Sequence, residues 1–322
     1  MRRRDFILAG TAVLAAPHTV RGQRKTPVIG LLWNDSVKPS PSIAIFVAAM
    51  RDRGYALDRD FRIEDRVTLE GYGGYAENAA DLVRNKVDLI VINGTTATMA
   101  AAKATKEIPI VAIMGVDPVA QGLAASLARP GGNVTGIADL TGELTQKRIA
   151  LIKELVPGLR RVGVVLAPNV ANPIAVSESE AAARVLNLQL QFVEVAAPGD
   201  IEGRIEELVQ SRVGAIYVPP SSFLASHSAR MVAAIAKHRI PALYAPVGYA
   251  EVGGLVSYSA SASKRFVRLA GYVDRILKGA RAAELPIEQT TDFELVVNLK
   301  AAKALGIKVP QSILVRADRV IE

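Results

Sequence analysis

After residue 26 the chain alternates short apolar runs with longer segments whose apolar residues recur at helical spacing. Val28–Trp33 predicts a strand, and Ile43–Arg53 a helix that Gly54 stops. Phe61–Val67 predicts the next strand and Gly74–Asn85 the next helix. Asp88–Ile92 is an apolar run of buried-strand type, followed by an alanine-rich helix over Ala97–Lys106. Pro109–Ile113 predicts another strand, and Val119–Ala128 another helix closed by Pro130, Gly131 and Gly132. Alternation of this kind makes a parallel sheet with helices on both faces.

The pattern then recurs. Asn85–Thr98 and Ser211–Leu224 each read as a helix end, a buried strand, a turn with two hydroxyls and a helix start. Downstream, Ile108-Pro109-Ile110-Val111 matches Ile240-Pro241-Ala242-Leu243. Upstream, helix Ser179–Leu186 and strand Gln189–Val195 match helix Ile43–Arg53 and strand Phe61–Val67. The period is roughly 126 to 132 residues, too long for a solenoid. The fold class expected is therefore α/β, with two Rossmann-like lobes of one topology. Their boundary falls near Ile137–Gly142, before a helix over Glu143–Val156.

The first residues break the pattern. Arg2, Arg3 and Arg4 precede Asp5 and an apolar stretch from Phe6 to Ala16, with small residues Val20 and Gly22 beyond it. Basic head, short apolar middle and small-residue exit make a secretory signal over residues 1–22, cleaved near Gly22 to leave Gln23 first. Arg3-Arg4-Asp5-Phe6-Ile7 also fits the twin-arginine export pattern. The apolar stretch is about 11 residues, short of the ~20 that a spanning helix needs, so stable membrane insertion is not expected. The expected location is the periplasm. The formal charge is +8. The basic residues are scattered among acids, so no nucleic-acid partner is expected. The chain has no cysteine, which excludes disulfides, a lipidated cysteine and cysteine-held metal.

In open parallel sheets ligands sit beyond the carboxyl ends of the strands. Candidates are therefore the residues after each predicted strand. In the first lobe these are Trp33 and Asn34, then Gly94, Thr95 and Thr96, then Asp117 beside Gly115 and Val116. In the second they are Asn169 with Asn172, Ser221 with Ser222, and Tyr244. Each carries two readings. Thr95, Thr96, Ser221 and Ser222 could cap helices, and a helix start also offers free N–H groups to a carboxylate. Asp117 before Pro118 fits a turn or a partner for a ligand ammonium. Trp33 fits the core or a cleft wall. Tyr72 and Tyr75, among glycines, fit a flexible loop.

Enzyme kits are missing from the sequence. No G-x-G-x-x-G, P-loop or G-x-S-x-G elbow occurs. Beyond His18 the histidines are His227 and His238, eleven residues apart and too distant to chelate one metal. No cofactor, no metal and no catalytic residues are expected.

Several segments together resemble a known family. They are Gly115-Val116-Asp117-Pro118-Val119, the run Leu127–Gly136, Glu251–Leu255, Tyr272–Ala280, Phe293–Lys300 and Ala317–Glu322. In order and spacing the chain resembles the ABC-transporter substrate-binding proteins, which include tryptophan-binding relatives and share the periplasmic binding protein type I fold. The resemblance implies a small-molecule solute, transient docking to permease and ATPase subunits, and a monomer. A ligand-sensing subunit that presents its closed form to a receptor is the alternative, and an exported α/β enzyme a third. It also implies three crossings between lobes, near residues 138–142, 247–256 and 280–288, with helix Lys264–Lys278 returning to the first lobe. The first lobe is then residues 23–139 with 257–284, and the second 140–256 with 285–322. Relatives carry an acid where this chain has the turn Pro219-Pro220-Ser221-Ser222, a departure that bears on the ligand.

Overall fold

Helices and strands in the computed structural model sort into two layered sheets; residues 26–34, 41–68, 74–139, 141–168, 172–246 and 248–322 are described. The predicted export signal, Tyr72 and Asn169 lie outside these residues.

The first lobe begins β1 (Val28–Asn34), α1 (Pro41–Arg51), β2 (Arg62–Thr68), α2 (Tyr75–Arg84), β3 (Leu89–Asn93), α3 (Thr95–Ala104), β4 (Ile110–Met114) and β5 (Val134–Ala138). The chain then crosses. The second lobe holds α4 (Thr141–Leu155), β6 (Arg161–Leu166), α5 (Asn172–Val185), β7 (Gln189–Glu194), α6 (Ile201–Gln210) and β8 (Ala215–Val218). It continues with α7 (Ser222–Ser226), α8 (Ser228–Lys237), β9 (Ala242–Tyr244), α9 (Gly248–Glu251) and β10 (Val256–Ala260). Helix α10 (Ala262–Leu277) and the short β11 (Glu288–Gln289) return to the first lobe. The tail β12 (Phe293–Asn298), α11 (Leu299–Leu305), α12 (Gln311–Arg316) and β13 (Arg319–Ile321) completes the second.

The sheet orders are β11-β5-β4-β3-β1-β2 and β13-β12-β10-β9-β8-β6-β7. Five strands of each therefore follow one order, which is the repeat seen in the sequence. The first sheet is wholly parallel. In the second, β12 runs antiparallel to β10.

Burial explains the layers. Strand β4 is buried along its whole length, as a strand covered on both faces must be. Helix α10 buries Phe266, Leu269, Ala270 and Val273, an i, i+3, i+4, i+7 stripe against one face of the first sheet. Helices α2 and α3 cover its other face. In the second lobe α4 and α5 cover one face, and α6 and α8 the other. None of these four apolar clusters takes residues from both lobes.

The crossings differ in part from those implied by resemblance. The first runs from the end of β5 into α4. The second lies at Ser261, because β10 pairs with β9 and β12 and so belongs to the second lobe. The third follows Gln289, since Glu288 and Gln289 pair with Ile137 and Ala138, and Leu285 and Ile287 pack in first-lobe clusters. Polar contacts tie the crossings together. Asp139 accepts from Arg265 Nη1 at 2.6 Å and from Thr290 Oγ1 at 2.7 Å. Asp292 pairs with Lys264 at 3.0 Å and with Arg268.

Two local expectations are corrected. Val119–Ala128 is not a helix. Asp117 and Pro118 start one turn, but Gly122 takes φ 68°, and Ala125 N–H then turns to the Pro130 carbonyl. Tyr75 is not a loop residue. It opens α2 and is buried against the first sheet, where the i, i+4, i+7 set Tyr75, Ala79 and Leu82 lies.

Candidate functional site

In a parallel sheet of this order, the point where the chain direction of winding reverses opens a crevice at the carboxyl ends of two neighbouring strands. In the first lobe it lies between β1 and β3, and in the second between β6 and β8. Helix α7, which follows β8, lies against β1 of the other lobe. The two crevices therefore face one another across a cleft.

The first-lobe wall is built at the turn from β3 into α3. Gly94 takes φ 126° and ψ 141°, a conformation open essentially to glycine, and so the helix starts at once after the strand. Its N–H donates to the Ile113 carbonyl at 2.9 Å. Thr95 is buried, and its Oγ1 accepts from Gly115 N–H at 3.0 Å, fixing the α3 start to the end of β4. Thr96 is half-buried beside it. A ten-residue helix starting here presents N–H groups and a partial positive charge.

Asp117 is exposed, and its Oδ1 accepts from Val119 N–H at 2.8 Å and Ala120 N–H at 3.4 Å. It thus holds the turn, and an ammonium meeting it there would stay in water, where a pair contributes about 0–1 kcal/mol. Trp33 and Asn34 end β1.

In the second lobe Ser221 caps α7, its Oγ accepting from Leu224 N–H at 3.1 Å, and Ser222 opens the helix. Tyr244 ends β9, but its ring is buried in the second-lobe core, stacked on Tyr249 at 4.6 Å. Burial pushes its phenol well above the ordinary tyrosine value. Packing is the role this geometry gives Tyr244. His227 Nδ1 lies 2.9 Å from the Phe223 carbonyl, and His238 lies 3.4 Å from Glu206. Among the described residues no cluster of three or more histidines and acids could hold a metal ion.

Arg148 escaped the sequence reading. It lies on α4 and is only 2 % exposed. A signal for it existed. Leu144, Arg148, Ile149, Ile152 and Leu155 fall at helical spacing on one buried face, and the arginine interrupts an apolar stripe. Its Nε donates to the Tyr258 carbonyl at 2.8 Å.

Known proteins repeat this architecture. The chain is 27% identical over 265 residues to a tyrosine-binding protein of Clostridioides difficile, covering 82% of this chain and 76% of the relative. It resembles the structure of an ABC domain in complex with L-Trp from Streptococcus pneumonia, with a TM-score of 0.82 and 28% identity over 92% of this chain and all of that one (100%). A conserved domain protein from Vibrio cholerae superposes with a TM-score of 0.83 at 26% identity, covering 92% of this chain and 100% of that one. No described helix is long and apolar enough to cross a membrane. Residues 44–321 match the family model described as ABC transporter substrate binding protein, and the chain belongs to that family, with the periplasmic binding protein type I fold.

Proposed function

We propose that this chain is the extracytoplasmic solute-binding component of an ABC importer, and that it captures a small organic solute between its lobes by hinge closure. It binds and releases the solute unchanged, without cofactor, and docks transiently on permease and ATPase subunits. The observation that carries the reading is the opposition of two equivalent crevices, one per lobe, across three short crossings. Separate apolar clusters in the lobes support a hinge, since closing then breaks few packing contacts.

Within the cleft, the α3 start with Thr95 and Thr96 receives an acidic group of the solute. Ser221 and Ser222 close from the other side, and Trp33 and Asn34 at the end of β1 complete the set. Amino acids are the first class to try, because one relative is named for tyrosine and another was solved with L-Trp. Export uses the signal over residues 1–22. N-terminal sequencing of the periplasmic fraction should find Gln23 first, and an intact Met1 there would contradict the cleavage. A thermal-shift screen of amino acids and small carboxylates tests the binding itself, because a ligand that binds only the folded chain raises its midpoint. A chain that no solute stabilises, or that converts one into product, would overturn the reading.

A further inference from the structure

Strand β9 ends at Tyr244, which pairs with Ser257 of β10. Strand β10 runs on through Tyr258 to Ala260 at the second crossing, with β12 still on its other side. Tyr258 therefore lies one residue beyond the last β9 pairing. Arg148 reaches this stretch, since its Nε donates to the Tyr258 carbonyl. The guanidinium thus sits beside the end of β9, a few residues from the crossings that enter α4 and leave β10.

That guanidinium is incompletely satisfied. Its Nη1 is buried and has no hydrogen-bond partner, and no carboxylate pairs with the side chain among the described residues. The Tyr217 hydroxyl on β8 and the Ser179 hydroxyl on α5 are also buried without partners, and both elements pack against α4. A buried cation with one carbonyl contact is costly, and a purely structural arginine would be expected to hold an acid. The group that best completes an arginine fork in a dry site is a carboxylate, through two parallel N–H···O bonds.

We propose that Arg148 is a ligand-binding residue at the floor of the cleft, and that the solute it reads carries a carboxylate. This rests on the solute-binding reading and deepens it. Asp117 is exposed and its carboxylate already holds its own turn, which makes it a weak partner for a ligand ammonium. Arginine and α3 start would hold the two ends of an acidic solute, or share one carboxylate as the lobes close.

Matched acid and amide probes test this. L-tyrosine and L-tyrosinamide form one pair, 3-(4-hydroxyphenyl)propionate and its amide a second, succinate and succinamide a third. Affinities are measured by calorimetry for the wild type, Arg148→Gln and Arg148→Lys. At least one acid should bind the wild type and its amide far more weakly. Arg148→Gln should lose roughly a hundredfold for that acid and little for the amide. Arg148→Lys, which keeps the charge without the fork, should fall between. Ligand-free Arg148→Gln should melt no lower than the wild type, since an unpaired buried charge has been removed. The proposal is overturned if no acid is preferred to its amide, or if Arg148→Gln keeps full affinity while melting lower. In the second case the solute-binding reading survives. If no probe binds at all, Arg148 loses the role assigned to it, and a failed wider solute screen would then decide the reading itself.

Discussion

The two lobes share a strand order but not a way of making the cleft. In the first lobe β3 turns through a single glycine into a ten-residue helix, and Thr95 is bonded to the end of the neighbouring strand. In the second, β8 leaves through Pro219 and Pro220 into a five-residue helix capped by Ser221. The first wall is preorganised by backbone geometry, and its helix start supplies the electrostatics. The second has a weaker helix but an incompletely satisfied arginine behind it. Duplicated topology thus fixes where a ligand can sit, while the chemistry that reads it is set separately in each lobe.

The sharpest break of this comparison is at paired turn positions. Gly94→Val forces a β-branched residue to φ 126° and should cost about 2–3 kcal/mol. The melting midpoint should fall several degrees, and solute binding should be lost with it. The equivalent Pro220→Ala should cost about 0.5–1 kcal/mol, because it mainly frees the unfolded chain. Similar losses at both positions would mean that the first turn is not specially strained.

The hinge gives the next largest effect. Asp139→Ala removes the partner of Arg265 and the acceptor of Thr290 Oγ1. The pair is 20% and 13% exposed, so the loss should be about 2 kcal/mol rather than the full buried-pair value. Denaturant unfolding checks the stability, and calorimetry the accompanying change in affinity. An unchanged denaturation midpoint and unchanged affinity would remove the cluster from the hinge account.

Smaller effects separate the hydroxyls. Thr95→Val leaves Gly115 N–H without its acceptor and Ser221→Ala removes a helix cap, each costing about 1 kcal/mol of stability. If both also face solute, each should lower affinity severalfold more than stability alone explains.

The smallest effect is with pH. The hydrogen bond from Lys264, helped by Arg268, holds the Asp292 carboxyl below the ordinary aspartate value. A depressed folded value stabilises above the unfolded pKa of about 4, and the gain is lost as pH falls through the folded value. Asp292→Asn should therefore flatten the acid limb of the midpoint-against-pH curve and leave neutral pH little changed. An identical acid limb would exclude Asp292 as a contributor.

Much of this was legible in the sequence. The short apolar runs and helical spacings located most elements of both lobes to within a few residues, because buried parallel strands leave little freedom in residue choice. Strand ends were legible too, which put Thr95 and Ser221 at helix starts. Other features depend on turns and strand pairings that composition does not reveal. Val119–Ala128 has helical composition, but Gly122 and the Pro130 carbonyl redirect it. Tyr244 ends a strand yet stacks on Tyr249, which the turn after β9 brings back beside it. Residues 257–260 and 285–289 belong to the other lobe from the one implied, because strand partners, not local pattern, decide sheet membership. Arg148 could have been noticed as a charge on an apolar stripe, but its place beside the end of β9 follows only from the strand pairing.

The central claim is that solute is held between the lobes and draws them together. Small-angle scattering with and without the carboxylate probe that gives the largest thermal shift tests this most directly. Saturation at one probe per chain should lower the radius of gyration, and the probe should be recovered chemically unchanged. Tight binding with an unaltered scattering curve, or a new product in the recovered probe, would contradict it.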